Sequence, residues 1–248
     1  MKVLFLGPKD SHLFFFLNKR ASVTQTENKI SIKEVDALGP DIIISFGYRH
    51  IIKRPVVTAY DGRIINLHIS YLPWNRGAHP NVWSFVEKTP KGVSIHLVDE
   101  GIDTGDILFQ KEVFLKDAHT LKESYEILNK EIQDLFIKKW PNIKKLNFKR
   151  VKQDPDSGSY HTKKETEEYL DKLGICNWET KVKDLKERSD KDIINDIQDI
   201  RAKNNTHWMD LVKLAFEVAP TDSRSIFKKI KYCDEKVNEL LKELAEND

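Results

Sequence analysis

The sequence predicts an α/β fold, an open sheet wound from strand–helix–strand units, followed by a smaller, mainly helical C-terminal region. Three observations predict it. The runs Lys2–Gly7 and Asp41–Gly47 are short, continuously apolar and stopped by glycine, as strands buried on both faces are. Further strand-like runs at Ile64–Ser70, Gly92–Val98 and Ile107–Leu115 alternate with, or lead into, helical stretches. Beyond residue 160 the strand signals stop and helical periodicity takes over.

Taken in order, Lys2–Gly7 opens the sheet as a parallel strand. The run Leu13–Leu17 that follows is far shorter than the roughly 20 apolar residues of a membrane span, and no small-residue cleavage site accompanies it. A cytoplasmic protein without membrane insertion is expected. Asp41–Gly47 supplies a second buried strand. In Ile64–Ser70 the residues alternate, so a strand places Asn66, His68 and Ser70 on one face and Ile65, Leu67 and Ile69 on the other. Gly92–Val98 and Ile107–Leu115 complete the sheet, and Asp103 stands between Gly101 and Gly105, where backbone can approach a ligand closely. Open sheets bind ligands at the carboxyl ends of their strands, where both Asn66–Ser70 and Val98–Asp103 are expected to emerge.

A helix is predicted over 121–139, opened by the capping box Thr120-Leu121-Lys122-Glu123. Residues 1–150 are read as the catalytic domain. The composition of Asp154–Ser159 makes 151–160 a linker, and 161–248 is read as the helical region. That region starts with a second capping box, Thr162–Glu165, and Ile193, Ile194, Ile197 and Ile200 mark one helix face. In the last helix Ile226, Ile230, Cys233, Val237, Leu240 and Leu244 recur at spacings of four and three, a narrow seam that wants a partner helix. Packing against the chain's own helices and a homodimer contact are both open readings.

Formal charge is +2, so no global field points to nucleic acid, and no nucleic-acid partner is expected. Its distribution is more informative: residues 151–248 carry 18 basic and 22 acidic side chains, a net of −4, leaving +6 for residues 1–150. An acidic tail is a poor nucleic-acid clamp, because phosphate contacts need clustered Lys and Arg. Cys176 and Cys233 form no disulfide framework. The spacing of His68, His79 and His96 matches no zinc signature, so no metal is expected.

The segment Asn66-Leu67-His68-Ile69-Ser70…Leu72-Pro73-Trp74-Asn75-Arg76-Gly77, answered by Gly92…His96…Asp103-Thr104-Gly105, resembles the 10-formyltetrahydrofolate-dependent formyltransferases. That superfamily carries Asn-x-His-x-Ser…Leu-Pro-x-x-Arg-Gly and then Gly-x-x-x-His…Asp-x-Gly. The resemblance implies a Rossmann-like formyltransferase sheet domain, a one-carbon transferase activity and 10-formyltetrahydrofolate as cofactor. It assigns Asn66, His68 and Asp103 as the catalytic triad. An amide donor for the oxyanion, an imidazole, whose reference pKa lies near physiological pH, and a carboxylate that can accept a proton and orient the imidazole suit transfer of a formyl group to an amine. His96 fits a supporting or a purely structural role, and Ser70 more simply holds the strand end.

The folate is expected between two loops, one with Phe46, Gly47, Tyr48, His50 and Ile51, the other with Val98, Asp99, Glu100, Gly101 and Ile102. Phe46 and Ile51 fit ordinary core almost equally well. Three branches share the motif. Glycinamide ribonucleotide transformylases carry a Gly-Ser-rich loop after the first strand, where this chain has Gly7-Pro8-Lys9-Asp10-Ser11-His12. Methionyl-tRNA formyltransferases append a basic, β-rich domain, unlike the acidic helical tail here, and are the alternative reading. Bacterial sugar-nucleotide N-formyltransferases resemble it best, through Pro73-Trp74-Asn75-Arg76-Gly77-Ala78-His79-Pro80-Asn81. The resemblance then implies a UDP- or dTDP-linked amino-deoxy sugar as acceptor, in the service of surface polysaccharide. Arg49, Trp74, Asn75, Arg76, Gly77 and His79 become candidate substrate contacts, with Trp83 as a second candidate wall. A folate or nucleotide-sugar binding module without activity is the non-enzyme alternative.

Overall fold

The computed structural model describes residues 1–175, 177–185 and 190–245. Two compact units divide the chain at residues 186 and 187. In the first, strands β1 (Lys2–Leu6), β2 (Ser22–Thr26), β3 (Ile42–Ser45), β4 (Ile64–His68), β6 (Gly92–Leu97) and β7 (Ile107–Glu112) form a six-stranded sheet in the order β2-β1-β3-β4-β6-β7. Helices α1 (His12–Asn18), α2 (Ile32–Leu38), α3 (Arg54–Ala59), α4 (Pro80–Val86) and α5 (Leu121–Ile143) surround it. A two-stranded ladder, β5 (Arg76–Gly77) with β8 (Tyr160–His161), and helix α6 (Lys163–Lys172) complete the unit.

Strand alternation gives the sheet two apolar faces. On one, Val3, Phe5, Ile44, Leu67 and Ile95 belong to the cluster that also holds Leu13 of α1 and Ile132 and Phe136 of α5. On the other, Leu4, Leu6, Ile43 and Ile64 pack with Val35, Val56, Val57 and Tyr60. Further along β4 that second face turns polar. Both expected capping boxes form, at Thr120/Glu123 and Thr162/Glu165.

Three features depart from the sequence reading. The edge strand β2, Ser-Val-Thr-Gln-Thr, is half-exposed and polar, so no apolar run announces it. Strands β6 and β7 run antiparallel to their neighbours rather than continuing the parallel set. Only the loop 98–106 joins them, too short for the crossover a parallel pair requires. As a result Val98 leaves the sheet beside Ile64, at the start of β4, and not at the end where Ser70 emerges.

The segment 151–160 is built into the first unit. Val151 bridges Ile107, the Arg76 and Asn75 backbones bond Ser159, and β8 pairs with β5. Polar composition there reflects bonding to loops, which a linker would not need. The second unit contains α7 (Asp190–Val218) and α8 (Pro220–Ala245). Ser223 Oγ donates to Ala215 O at 2.8 Å, and Phe216 meets Phe227 at 5.4 Å across the helix junction. Ile226, Ile230, Val237 and Leu240 of the expected seam are exposed, as is the free thiol of Cys233. Cys176 and the side chains of Ile193, Ile194, Ile197 and Leu244 lie outside the described residues. Among those described, no helix is long and apolar enough to cross a membrane.

Candidate active site

Strand β4 aims Asn66 and His68 to one side, and antiparallel pairing puts His96 opposite Asn66 and Ser94 opposite His68. A pair of ring-bearing strands thus presents an amide and two imidazoles on a single patch. The fourth group comes from the loop 98–106. Asp99 ties that loop by accepting from Gly101 N at 3.1 Å and Thr104 Oγ1 at 2.6 Å. At Gly105 a Cβ would stand 1.9 Å from Leu97 O, so only glycine allows the return over β6. Asp103 itself adopts φ 55°, in the left-handed region, which turns its carboxylate back toward β4.

There the carboxylate is surrounded. Oδ1 accepts from Asn66 Nδ2 at 3.2 Å and lies 3.3 Å from His96 Nε2. Oδ2 accepts from Gly77 N at 2.9 Å and stands 3.6 Å from His68 Nδ1. Burial, the largest single influence, pushes the Asp103 carboxyl up. The charge of His68, the bond and charge of His96 and the Gly77 N–H together outweigh it and hold Asp103 well below the usual carboxylate range. The second nitrogen of His68, Nε2, is 3.0 Å from Asn75 O, and His96 Nδ1 is 2.8 Å from Leu97 O. His96 Nε2 also lies 3.1 Å from Asn66 Nδ2.

These four side chains line a cavity of about 620 Å³, a size suited to small-molecule ligands. The residues expected at the folate, Phe46 to Ile51 and Val98 to Ile102, all line it, as do Arg49 and Gly77. Phe46 serves the core as well, at 7% exposure, whereas Ile51 at 70% stands at the rim.

Four candidate substrate contacts, Trp74, Asn75, Arg76 and His79, stand outside the lining. Asn75 is fully buried with φ 56°; it donates to Thr89 Oγ1 at 2.8 Å while its carbonyl meets His68. Arg76 turns inward, Nε donating to Gln153 Oε1 at 3.1 Å. Gln153 Nε2 in turn donates to the carbonyls of Asp103 and Gly105, both at 2.8 Å. This part of the motif therefore braces the Asp103 loop and His68. Trp83 is also internal: its indole stacks on His161 at 3.8 Å and 5°, and Nε1 donates to Thr166 Oγ1. Ser70 donates to Trp74 O, closing the strand end.

Sequence reasoning missed the remaining wall, made by Tyr125 and Asn129 of α5 and by residues 160–163. Tyr125 and Asn129 belong to no motif, Thr162 and Lys163 were read only as the start of a helix, and residues 160–163 reach the cavity because β8 pairs with β5. His161, on that wall, sits between carboxylates, with Nε2 2.9 Å from Glu87 and Nδ1 3.2 Å from Glu165.

The assembled groups suit acyl transfer: an N–H donor for a developing oxyanion, an imidazole to move a proton and a fixed anion beside it. Comparison with known proteins points the same way. A family model described as formyl transferase matches residues 8–139. The formyltransferase PseJ from Anoxybacillus kamchatkensis, solved in complex with UDP-4,6-dideoxy-4-formamido-L-AltNAc and tetrahydrofolate, is 45% identical, with a TM-score of 0.70 over 75% of this chain and 97% of that one. A sugar N-formyltransferase from a Shewanella species is 25% identical, with a TM-score of 0.59 over 78% of this chain and 85% of that chain. The methionyl-tRNA formyltransferase of Clostridium acetobutylicum is 33% identical over 130 residues, 52% of this chain and 42% of the relative. The chain thus spans about half the length, or less, of such curated relatives.

Proposed function

The chain belongs to the formyl transferase family, and from that premise we propose that it moves a formyl group from 10-formyltetrahydrofolate to the amine of a nucleotide-linked amino-deoxy sugar. The observation that carries this reading is the Asn66–His68–His96–Asp103 cluster on the wall of a cavity of small-molecule size. Within the nucleotide sugars, a UDP-linked 4-amino-4,6-dideoxy sugar is the first acceptor to test. The 45% identity to a protein solved with the corresponding formamido sugar supports that choice.

The cavity fits a folate. Phe46, Ile52, Val98 and Ile102 give apolar walls for a flat ring, and the exposed backbone of loops 46–52 and 98–102 can read its polar edge. Bound there, the folate supplies the activated formyl group. Asn66 donates an amide N–H to the formyl oxygen as charge develops on it, exchanging its contact with His96 or Asp103 for that bond. His68 moves the proton lost by the amine. Its Nε2 is engaged by Asn75 O at 3.0 Å, so the more loosely held Nδ1, 3.6 Å from Asp103, is the exchanging nitrogen. Asp103 was expected both to accept a proton and to orient the imidazole. Its depressed pKa favours the second role, because so weak a base exchanges protons poorly near neutrality.

Products of this reaction would enter surface polysaccharide synthesis. The methionyl-tRNA alternative gains little from residues 151–248, which carry a net charge of −4. For the second unit we infer self-association through α8, supported by exposure of Ile226, Ile230, Val237 and Leu240 at 46–64% along one seam.

The test is formyl transfer to a panel of UDP- and dTDP-linked amino sugars and to methionyl-tRNA, read by mass spectrometry. Formylation of the UDP-linked 4-amino sugar in preference to the others supports the reading. Formylation of methionyl-tRNA with no nucleotide sugar modified would overturn it.

A further inference from the structure

An acceptor whose amine reaches Asn66, His68 and Asp103 must leave its nucleobase at the other end of the molecule, away from these groups. On the wall formed by α5, Tyr125 carries an aromatic cluster with no role in the chemistry above, whose other members, Trp178 and His79, stand behind it and outside the lining. Tyr125, in the second turn of α5, lines the cavity and meets Trp178 at 5.7 Å and 71°. Trp178 in turn lies 5.8 Å from His79, whose backbone is held at φ 49°. The segment carrying Trp178 is tied to the start of α5, Lys122 N donating to Trp178 O at 2.9 Å, so the indole is fixed beside Tyr125.

Both rings keep more than a third of their surface in solvent, 44% for Tyr125 and 39% for Trp178. Half-open rings on and next to a cavity wall offer π-faces to a flat ligand. Lys163 also lines the cavity, its ammonium 3.3 Å from Glu167, and is a cation available to the diphosphate of such an acceptor. Arg49, by contrast, belongs to the 46–52 loop.

We propose that Tyr125 and Trp178, backed by His79, form the stacking platform for the pyrimidine base of the acceptor nucleotide. This assignment rests on the nucleotide-sugar reading of the cavity, and the experiment separates the two. Uridine monophosphate is titrated calorimetrically into the full chain and into Trp178→Ala, Trp178→Phe and Tyr125→Ala. Binding weakens about 10-fold or more in the two alanine variants, the range for loss of one base–aromatic stack, and is retained in Trp178→Phe. In turnover assays the same alanine variants raise KM for the nucleotide sugar and leave KM for the formyl donor unchanged. Equal affinity for the nucleotide in all four proteins overturns the platform, even if nucleotide sugars are formylated. Nucleotide binding that depends on Trp178, without formylation of any nucleotide sugar, sustains the platform and overturns the activity.

Discussion

Replacing Asp103 by Asn keeps the size of a side chain that is 13% exposed and removes its charge. Four groups feel the change. The Gly77 N–H at 2.9 Å and the Asn66 amide at 3.2 Å both donate to the carboxylate, and the His68 and His96 rings stand 3.6 and 3.3 Å away. An amide has one acceptor oxygen for these donors, so one of them faces an N–H instead. His68 then loses the anion that orients it, and its proton-moving role fails. General acid–base groups contribute ~10²–10⁴-fold, so kcat should fall at least ~100-fold, equivalent to about 2.7 kcal/mol of transition-state stabilisation. The wall formed by loop 46–52 does not depend on this charge, so folate affinity should change little. The assay is steady-state formyl transfer, with equilibrium folate binding and circular dichroism on the same preparation. A folded Asp103→Asn protein turning over at a near-normal rate would refute the assignment.

Gln153→Ala removes both bonds that tether the Asp103 and Gly105 carbonyls and frees Arg76 Nε. Chemical denaturation should show a loss of about 1–3 kcal/mol, with a lower kcat. At Gly105 even alanine is too large, its Cβ falling 1.9 Å from Leu97 O; the thermal midpoint should drop and activity with it. Acid stability follows from the depressed pKa of Asp103. Because the folded value lies below the unfolded one, near roughly 3.9, its contribution is present above that pH and is lost as pH falls further. Asp103→Asn should flatten the acid limb of a stability–pH curve, and an unchanged limb would count against the charge cluster. Finally, Val237→Lys with Leu240→Glu should turn a dimer into a monomer by light scattering; a monomeric unmodified protein at micromolar concentration discards the self-association reading.

Much of the site was legible in the sequence because strands enforce period 2. Once Ile64–Ser70 was read as a strand, Asn66 and His68 had to share a face, and the structure agrees. The glycines around Asp103 were read as room for a ligand; at Gly105 that room is taken by the chain's own Leu97 carbonyl, 1.9 Å from where a Cβ would stand. Local rules also located both capping boxes, since each is a bond pattern within four residues.

What the tertiary structure alone decided is which distant groups meet. His96 enters the cluster because β6 runs antiparallel to β4, and nothing in Gly92–Val98 distinguishes that direction from a parallel one. Asn75 and Arg76 look like ligand contacts as a motif, yet bury inward because Thr89, Gln153 and Ser159 await them there. Residues 160–163 reach the cavity through pairing with a two-residue strand over 80 positions earlier in the chain. The sequence by itself determined local conformation and which face each side chain takes, because those depend on neighbours in the chain. Contacts between remote segments depend on how whole elements pack, and only the folded molecule decides them.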